Sequence, residues 1–279
     1  MKKEVIPCVM RDEGSLFGIR AHPEMTYLKC LYSVVLWWQN EFVSIWLYLA
    51  FALFFWIQCF MIIGHSSVYD FNNEEDFDLM FIATIGIAIS LSLTVVYLTF
   101  YSLGKAENHL YESINYMGLL TLAYLCTFAC VGGELQGTGA YFYLLLTTVI
   151  LLGASLILVH YDKGRLIGLI ITGVWVGVLF FDGLGNSTKS QMMVFFVPVI
   201  LEGLFLGIGF ILIYFRVPER WFKENRFIQL YVTSQIIYAL LFINFVYELH
   251  CILYFTLKLN SGNLKDEQAW WKINNIYYE

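Results

Sequence analysis

The sequence predicts an all-α integral membrane protein, a bundle of seven transmembrane helices with a cytosolic N-terminus and a C-terminus outside. Three observations carry that expectation. Of 279 residues, 59% are hydrophobic and only 14% charged, a balance that a soluble domain of this size could not hide in one core. Seven runs approach the roughly 20 mostly apolar residues that cross a bilayer. Lys and Arg divide unequally between the two sides that those runs define.

The runs lie near 41–64, 79–103, 115–131, 140–160, 165–182, 192–215 and 227–257. The last is long enough to tilt or to project beyond the lipid. Residues 1–40 read as a cytosolic segment, 41–257 as the bundle and 258–279 as a short aromatic tail. The connecting loops are short, so basic residues can be assigned to sides. Lys2, Lys3, Arg11, Arg20, Lys29, Lys105, Lys163, Arg165, Arg216, Arg220, Lys223 and Arg226 share the side of the N-terminus, against Lys189, Lys258, Lys265 and Lys272 on the other. Twelve against four places the N-terminus in the cytosol.

The first outer loop, "HSSVYDFNNEEDFD", is acidic, and the third contains "NST" at Asn186, a candidate glycan acceptor if that loop is luminal. The N-terminal stretch is polar and resembles neither a signal peptide nor an Arg-rich transit peptide, so the first span is expected to act as its own insertion signal. These features favour the plasma membrane or an endomembrane, with the mitochondrial inner membrane as the alternative. Nothing in the chain calls for a nucleic-acid partner.

The six cysteines form no disulfide framework: Cys59, Cys126, Cys130 and Cys251 lie in or near spans, and Cys8 and Cys30 on the reducing side. Cys126 and Cys130, one helical turn apart, read as small packing residues. Of the histidines His22, His65, His109, His160 and His250, His22, His109 and His160 fall on the cytosolic side and could converge with Cys8 or Cys30, but nothing in their spacing asks for that, and unconnected loop and helix-end residues are expected. No G-x-S-x-G elbow, phosphate-binding glycine loop or H-E-x-x-H is present.

Charged groups at bilayer depth are costly and therefore mark candidate sites. Glu41 opens the first span, Glu202 lies within the sixth and Glu248 near the outer end of the seventh. Around Glu202, Pro198, Gly203, Gly207 and Gly209 allow close helix approach. Glu202 is expected to face the bundle interior, either in a structural hydrogen bond or in a catalytic or transport role. The seventh span carries Thr233, Ser234, Gln235 and Tyr238; Ser234 and Tyr238, four apart, share a face. Neither is a good zinc ligand.

Several ordered segments resemble the progestin and adipoQ receptor family, which includes adiponectin receptors and hemolysin III-like proteins. "FRVPERWF" resembles that family's loop before the last span, and "RAHPEMTYLKCLYSVVLWWQNEFVSIW" its pre-membrane segment. "SLTVVYLTFYS" with "INYMGLL" resembles the second and third spans, and "HYDK" the loop after the fourth. Together they cover about residues 15 to 257.

The resemblance implies a site near the cytosolic side where three histidines bind zinc: one in a Ser-x3-His pattern on the second span and two in Ser-His-x3-His on the last, supported by an aspartate on the third. A site with three protein ligands and an open position suits metal-assisted hydrolysis, and the family is linked to lipid amide hydrolysis. Residue by residue, this chain departs from the pattern. Ser92 matches the serine, but the first histidine falls on Val96, the other two on Ser234 and Tyr238 with Gln235 between, and the aspartate on Asn115. In the first span, Ser44 and Tyr48 follow Glu41, and Gln39 replaces the preceding histidine. The expectation is a zinc-less pseudoenzyme without cofactor.

Two functions follow: a receptor-like or lipid-binding module, with a bound lipid as ligand, or a structural accessory subunit of a larger membrane complex, for which the tail residues Trp270, Trp271, Tyr277 and Tyr278 would suit an interface. A lipid hydrolase using Glu41, Glu202 or a relocated metal is the weaker alternative.

Overall fold

From Phe42 to Ile63 the chain runs for 22 residues without a charge, and apolar segments of that length satisfy their backbone groups in lipid as helices. A computed structural model of the chain describes residues 10–11, 19–20, 26–35, 42–64, 74–100, 110–122, 146–150, 153, 167–168, 171, 174–175, 177–178, 197–215, 217–218, 221 and 233–260. We label its helices α1 (Tyr27–Val35), α2 (Phe42–Ile63), α3 (Glu74–Phe100), α4 (110–122), α5 (Val197–Phe215) and α6 (Thr233–Asn260). Apart from a two-residue antiparallel pairing of Met10–Arg11 with Ile19–Arg20, the described elements are helical. Among the described residues, three helices are long and apolar enough to cross a membrane: α2, the Phe77–Phe100 part of α3, and the Gln235–Tyr254 part of α6. The protein is membrane-embedded.

Two boundaries differ from the sequence reading. The acidic stretch taken as loop belongs partly to α3, whose first residues are Glu74, Glu75 and Asp76. Carboxylates oppose the positive end of the helix dipole there, which favours starting the helix before the apolar run. The segment 1–40, read as cytosolic and polar, contains α1, whose Cys30 is fully buried.

The core is built where α2, α3 and α6 meet. Tyr48, Ala52 and Phe55 of α2 pack with Ile87, Ala88 and Leu91 of α3, Leu122 of α4, and Ala239, Phe242, Ile243 and Val246 of α6. A second cluster joins Ile62 to Met80, Ala83, Leu253 and Leu257. Ascending α2 from Tyr48 to Ile62 therefore means descending α3 from Leu91 to Met80 and ascending α6 from Phe242 to Leu257. Thus α3 runs antiparallel to α2, and α6 parallel to it. Outward, α2 shows Leu53, Phe54, Ile57, Phe60 and Ile63, the apolar exterior that lipid requires of a spanning helix.

Small residues set two further contacts, because close backbone approach is how helices associate in lipid. A Cβ built on Gly118 of α4 would lie 3.3 Å from both Leu93 Cβ and the Ser90 carbonyl oxygen of α3. One on Gly209 of α5 would lie 2.8 Å from Leu241 Cδ1 and 3.4 Å from Tyr238 Cδ2 of α6. Gly203 and Gly207, expected to share this role, have no neighbour among the described residues within 4 Å of a built Cβ. They stand six and two residues before Gly209, off the face that meets α6.

Candidate functional site

Polar side chains in an apolar helix are satisfied by their own backbone or by another helix, since no water competes. In α3, Thr84, Ser90, Ser92 and Thr94 each reach a neighbouring helix.

Ser92, the serine of the expected Ser-x3-His pattern, donates to the Ala88 carbonyl oxygen at 2.7 Å and accepts from Trp56 Nε1 of α2 at 3.2 Å. Its proton is committed to a carbonyl, so the hydroxyl is not an activated nucleophile. Val96, one turn further on, is half-buried and offers no donor atom. Asn115 stands across from α3, with Oδ1 3.2 Å from Thr94 Oγ1, while Thr94 Oγ1 is also 3.1 Å from the Ser90 carbonyl oxygen. One hydroxyl proton cannot serve both acceptors. Donation by Thr94 to Ser90 together with donation from the Asn115 amide, turned end for end, satisfies all of them. Ser90 in turn donates to the Gly118 carbonyl oxygen at 2.8 Å, beside the close approach of α3 to α4.

On α6, Tyr238 is half-buried against Gly209 and stacks on Phe242, with centroids 6.2 Å apart and an interplanar angle of 22°. Phe242 meets Tyr48 of α2 edge to face at 6.1 Å. The side chain expected in a metal-ligand position is thus part of an aromatic row from α2 to α6, packed against Gly209 of α5. Ser44, buried with Tyr48, lies on the same helix, and Gln235 is half-buried on α6. Glu202 belongs to α5, but its side chain and that of Ser234 lie outside the described residues, as do Glu41 and Asn186.

One buried polar pair was not anticipated. His250 of α6 is 6% exposed and lies edge to face on Phe55, centroids 5.2 Å apart. Its Nε2 is 3.0 Å from Thr84 Oγ1, which donates to the Met80 carbonyl oxygen at 2.6 Å. With the hydroxyl proton so engaged, Nε2 carries the ring proton and donates it to Thr84. The direction is opposite to that of a base activating a nucleophile. This corrects the expectation that His250 is an unconnected helix-end residue, because α6 continues ten residues beyond it to Asn260. The available signal was a histidine inside an apolar run, matched by a threonine inside "MFIATIGIA".

Elsewhere, Trp175 Nε1 donates to the hydroxyl of the fully buried Thr147 at 2.7 Å, joining the segments read as the fourth and fifth spans. Among the described residues, no three of His, Cys, Asp and Glu converge as a metal site would require. Tyr116 Oη of α4 is buried without a partner among the described residues. Burial pushes the Cys30 thiol pKa up.

The fold and these contacts define a helical membrane protein whose described polar groups mainly join helix to helix. No protein-family model matches the chain, and no curated protein matches it at a significant level.

Proposed function

We propose that the chain is a zinc-less relative of the progestin and adipoQ receptor family, a seven-span bundle kept as a receptor-like or lipid-binding module rather than as a hydrolase. The observation that carries this reading is the present use of the positions of the expected site. Tyr238, at a ligand position, stacks on Phe242; Asn115, at the position of the supporting aspartate, pairs with Thr94; and Ser92, the serine of the pattern, accepts from Trp56. Val96 has no donor, and a hydrolytic zinc needs three.

The parallel course of α2 and α6 supports the seven-span count. Two spans that run the same way enclose an odd number of crossings, as the five between a first and a seventh span do. The same direction fits termini on opposite sides, and the Lys and Arg distribution assigns the cytosol to the N-terminus.

The same packing role favours a second reading, in which the bundle serves as a structural subunit of a larger membrane assembly. Native mass spectrometry of the full chain, released gently from its membrane, separates the two. A retained lipid on an otherwise solitary chain supports the module; stoichiometric protein partners without lipid would replace it by the subunit.

A further inference from the structure

Helix α1 contacts the ends of two other helices, one of which stacks on the start of a third. At its start, Tyr27 lies edge to face on Phe100, the last residue of α3, with centroids 5.8 Å apart. Phe100 stacks on Tyr111, in the first turn of α4, at 5.0 Å and 28°. Near the end of α1, the Val34 carbonyl oxygen accepts from Trp46 Nε1 of α2 at 3.2 Å. Trp46 sits in the second turn of α2, tilted against Phe42 at its start, 6.2 Å away. Because α2 begins where α3 ends, both anchors lie at one end of the bundle. The nine residues of α1, about 13 Å at 1.5 Å per residue, bridge between them across that end.

The faces of α1 follow from its register. Residues of an α-helix advance by about 100° each, which divides YLKCLYSVV into three arcs. Cys30 and Val34 share one, and Cys30 is wholly buried against the bundle. Tyr27, Leu28, Leu31 and Tyr32 share the next, and all four are exposed, from 48% at Tyr27 to 66% at Leu28. Positions 29 and 33 form the third, and the sequence places Lys and Ser there. A helix with one side on protein, one apolar side outward and one polar side opposite it has three surroundings to match.

We propose that α1 lies in the plane of the bilayer interface, with Tyr27, Leu28, Leu31 and Tyr32 set into the boundary between headgroups and acyl chains. The occupant of this face is lipid, because α1 is held through Val34 to Trp46, which is itself 46% exposed at the start of the membrane-spanning helix α2. Tyrosine and tryptophan, with an apolar ring and a polar tip, are the residues that settle at that depth. Residues 1–40 carry five basic side chains against four acidic ones, Glu4, Asp12, Glu13 and Glu24. That near balance makes apolar burial, not attraction to anionic headgroups, the source of the contact.

The test places a benzophenone side chain at position 28, 31, 32 or 33 of the full chain, one at a time, in nanodiscs made of phosphatidylcholine alone. After irradiation, intact mass reads what each position touches. The expected result is an adduct of one phosphatidylcholine at 28, 31 and 32, several-fold above that at 33. All three apolar positions tolerate an aromatic ring without entering the core, and an unchanged melting temperature identifies the folded variants. Equal yields at 33, or adducts with a second copy of the chain, would overturn the proposal. So would an absence of lipid adducts at 28, 31 and 32 in folded variants.

Discussion

His250 donates through Nε2 to Thr84 Oγ1 across 3.0 Å, tying α6 to α3 in the apolar interior. Replacing Thr84 by Val keeps the shape and removes the acceptor, leaving the ring N–H without a partner. Interhelical hydrogen bonds in membranes are worth about 0.6 to 2 kcal/mol, so T84V is expected to lose about 1 kcal/mol. A double-mutant cycle of T84V with H250F, read by unfolding in mixed micelles, should show the two changes to be non-additive by a similar amount. Additive effects would mean that the pair carries no coupling.

The Trp56 to Ser92 contact is expected to respond asymmetrically. Trp56→Phe removes the donor, while Ser92 keeps its bond to the Ala88 carbonyl oxygen, so the loss is about 0.5 kcal/mol beyond that of the changed ring volume. Ser92→Ala leaves the half-buried indole N–H unpaired and should cost more, about 1 kcal/mol. Thermal unfolding of the two variants in one detergent ranks them; the reverse order would contradict the assigned donor direction.

Glycines that look alike in sequence should separate on substitution. Gly118→Leu drives a side chain into Leu93 and the Ser90 backbone and is expected to destabilise by about 2 kcal/mol, an overpacking cost. Gly203→Ala and Gly207→Ala meet no neighbour among the described residues within 4 Å and should be neutral or slightly stabilising, since Ala favours the helix by up to about 1 kcal/mol. Melting temperatures of the three variants check this.

How far the sequence disclosed these features depended on the length scale of the signal. The spans represented by α2, α3 and α6 could be placed from long apolar runs, and over the described residues each agrees with its helix to within a few residues except at the early start of α3. Nine-residue α1 lies in a mixed stretch where docking, rather than hydrophobicity, decides structure, so composition did not reveal it. At the candidate site, the lack of a donor atom at Val96 was legible from residue type alone. The partnerships of Asn115 with Thr94 and of His250 with Thr84 were not, because they depend on which faces meet. Gly209 and Gly207 likewise differ only in direction.

Burial of Cys30 also makes a chemical prediction. Its pKa is raised by burial, so the reactive thiolate is scarcer than at an ordinary thiol near neutral pH. Alkylation by maleimide, followed by peptide mass mapping, should be slower at Cys30 in the folded chain than after denaturation. The rate should rise as pH increases toward the raised pKa. Equal rates in both states at pH 7 would contradict docking of α1.

Metal analysis of the purified full-length chain tests the central claim most directly. After gentle solubilisation and dialysis against a mild chelator, zinc is expected well below one atom per chain, and Ser92→Ala or Tyr238→Phe should leave that value unchanged. One tightly held zinc per chain, lost on substitution in α3 or α6, would contradict the account and restore the hydrolase reading.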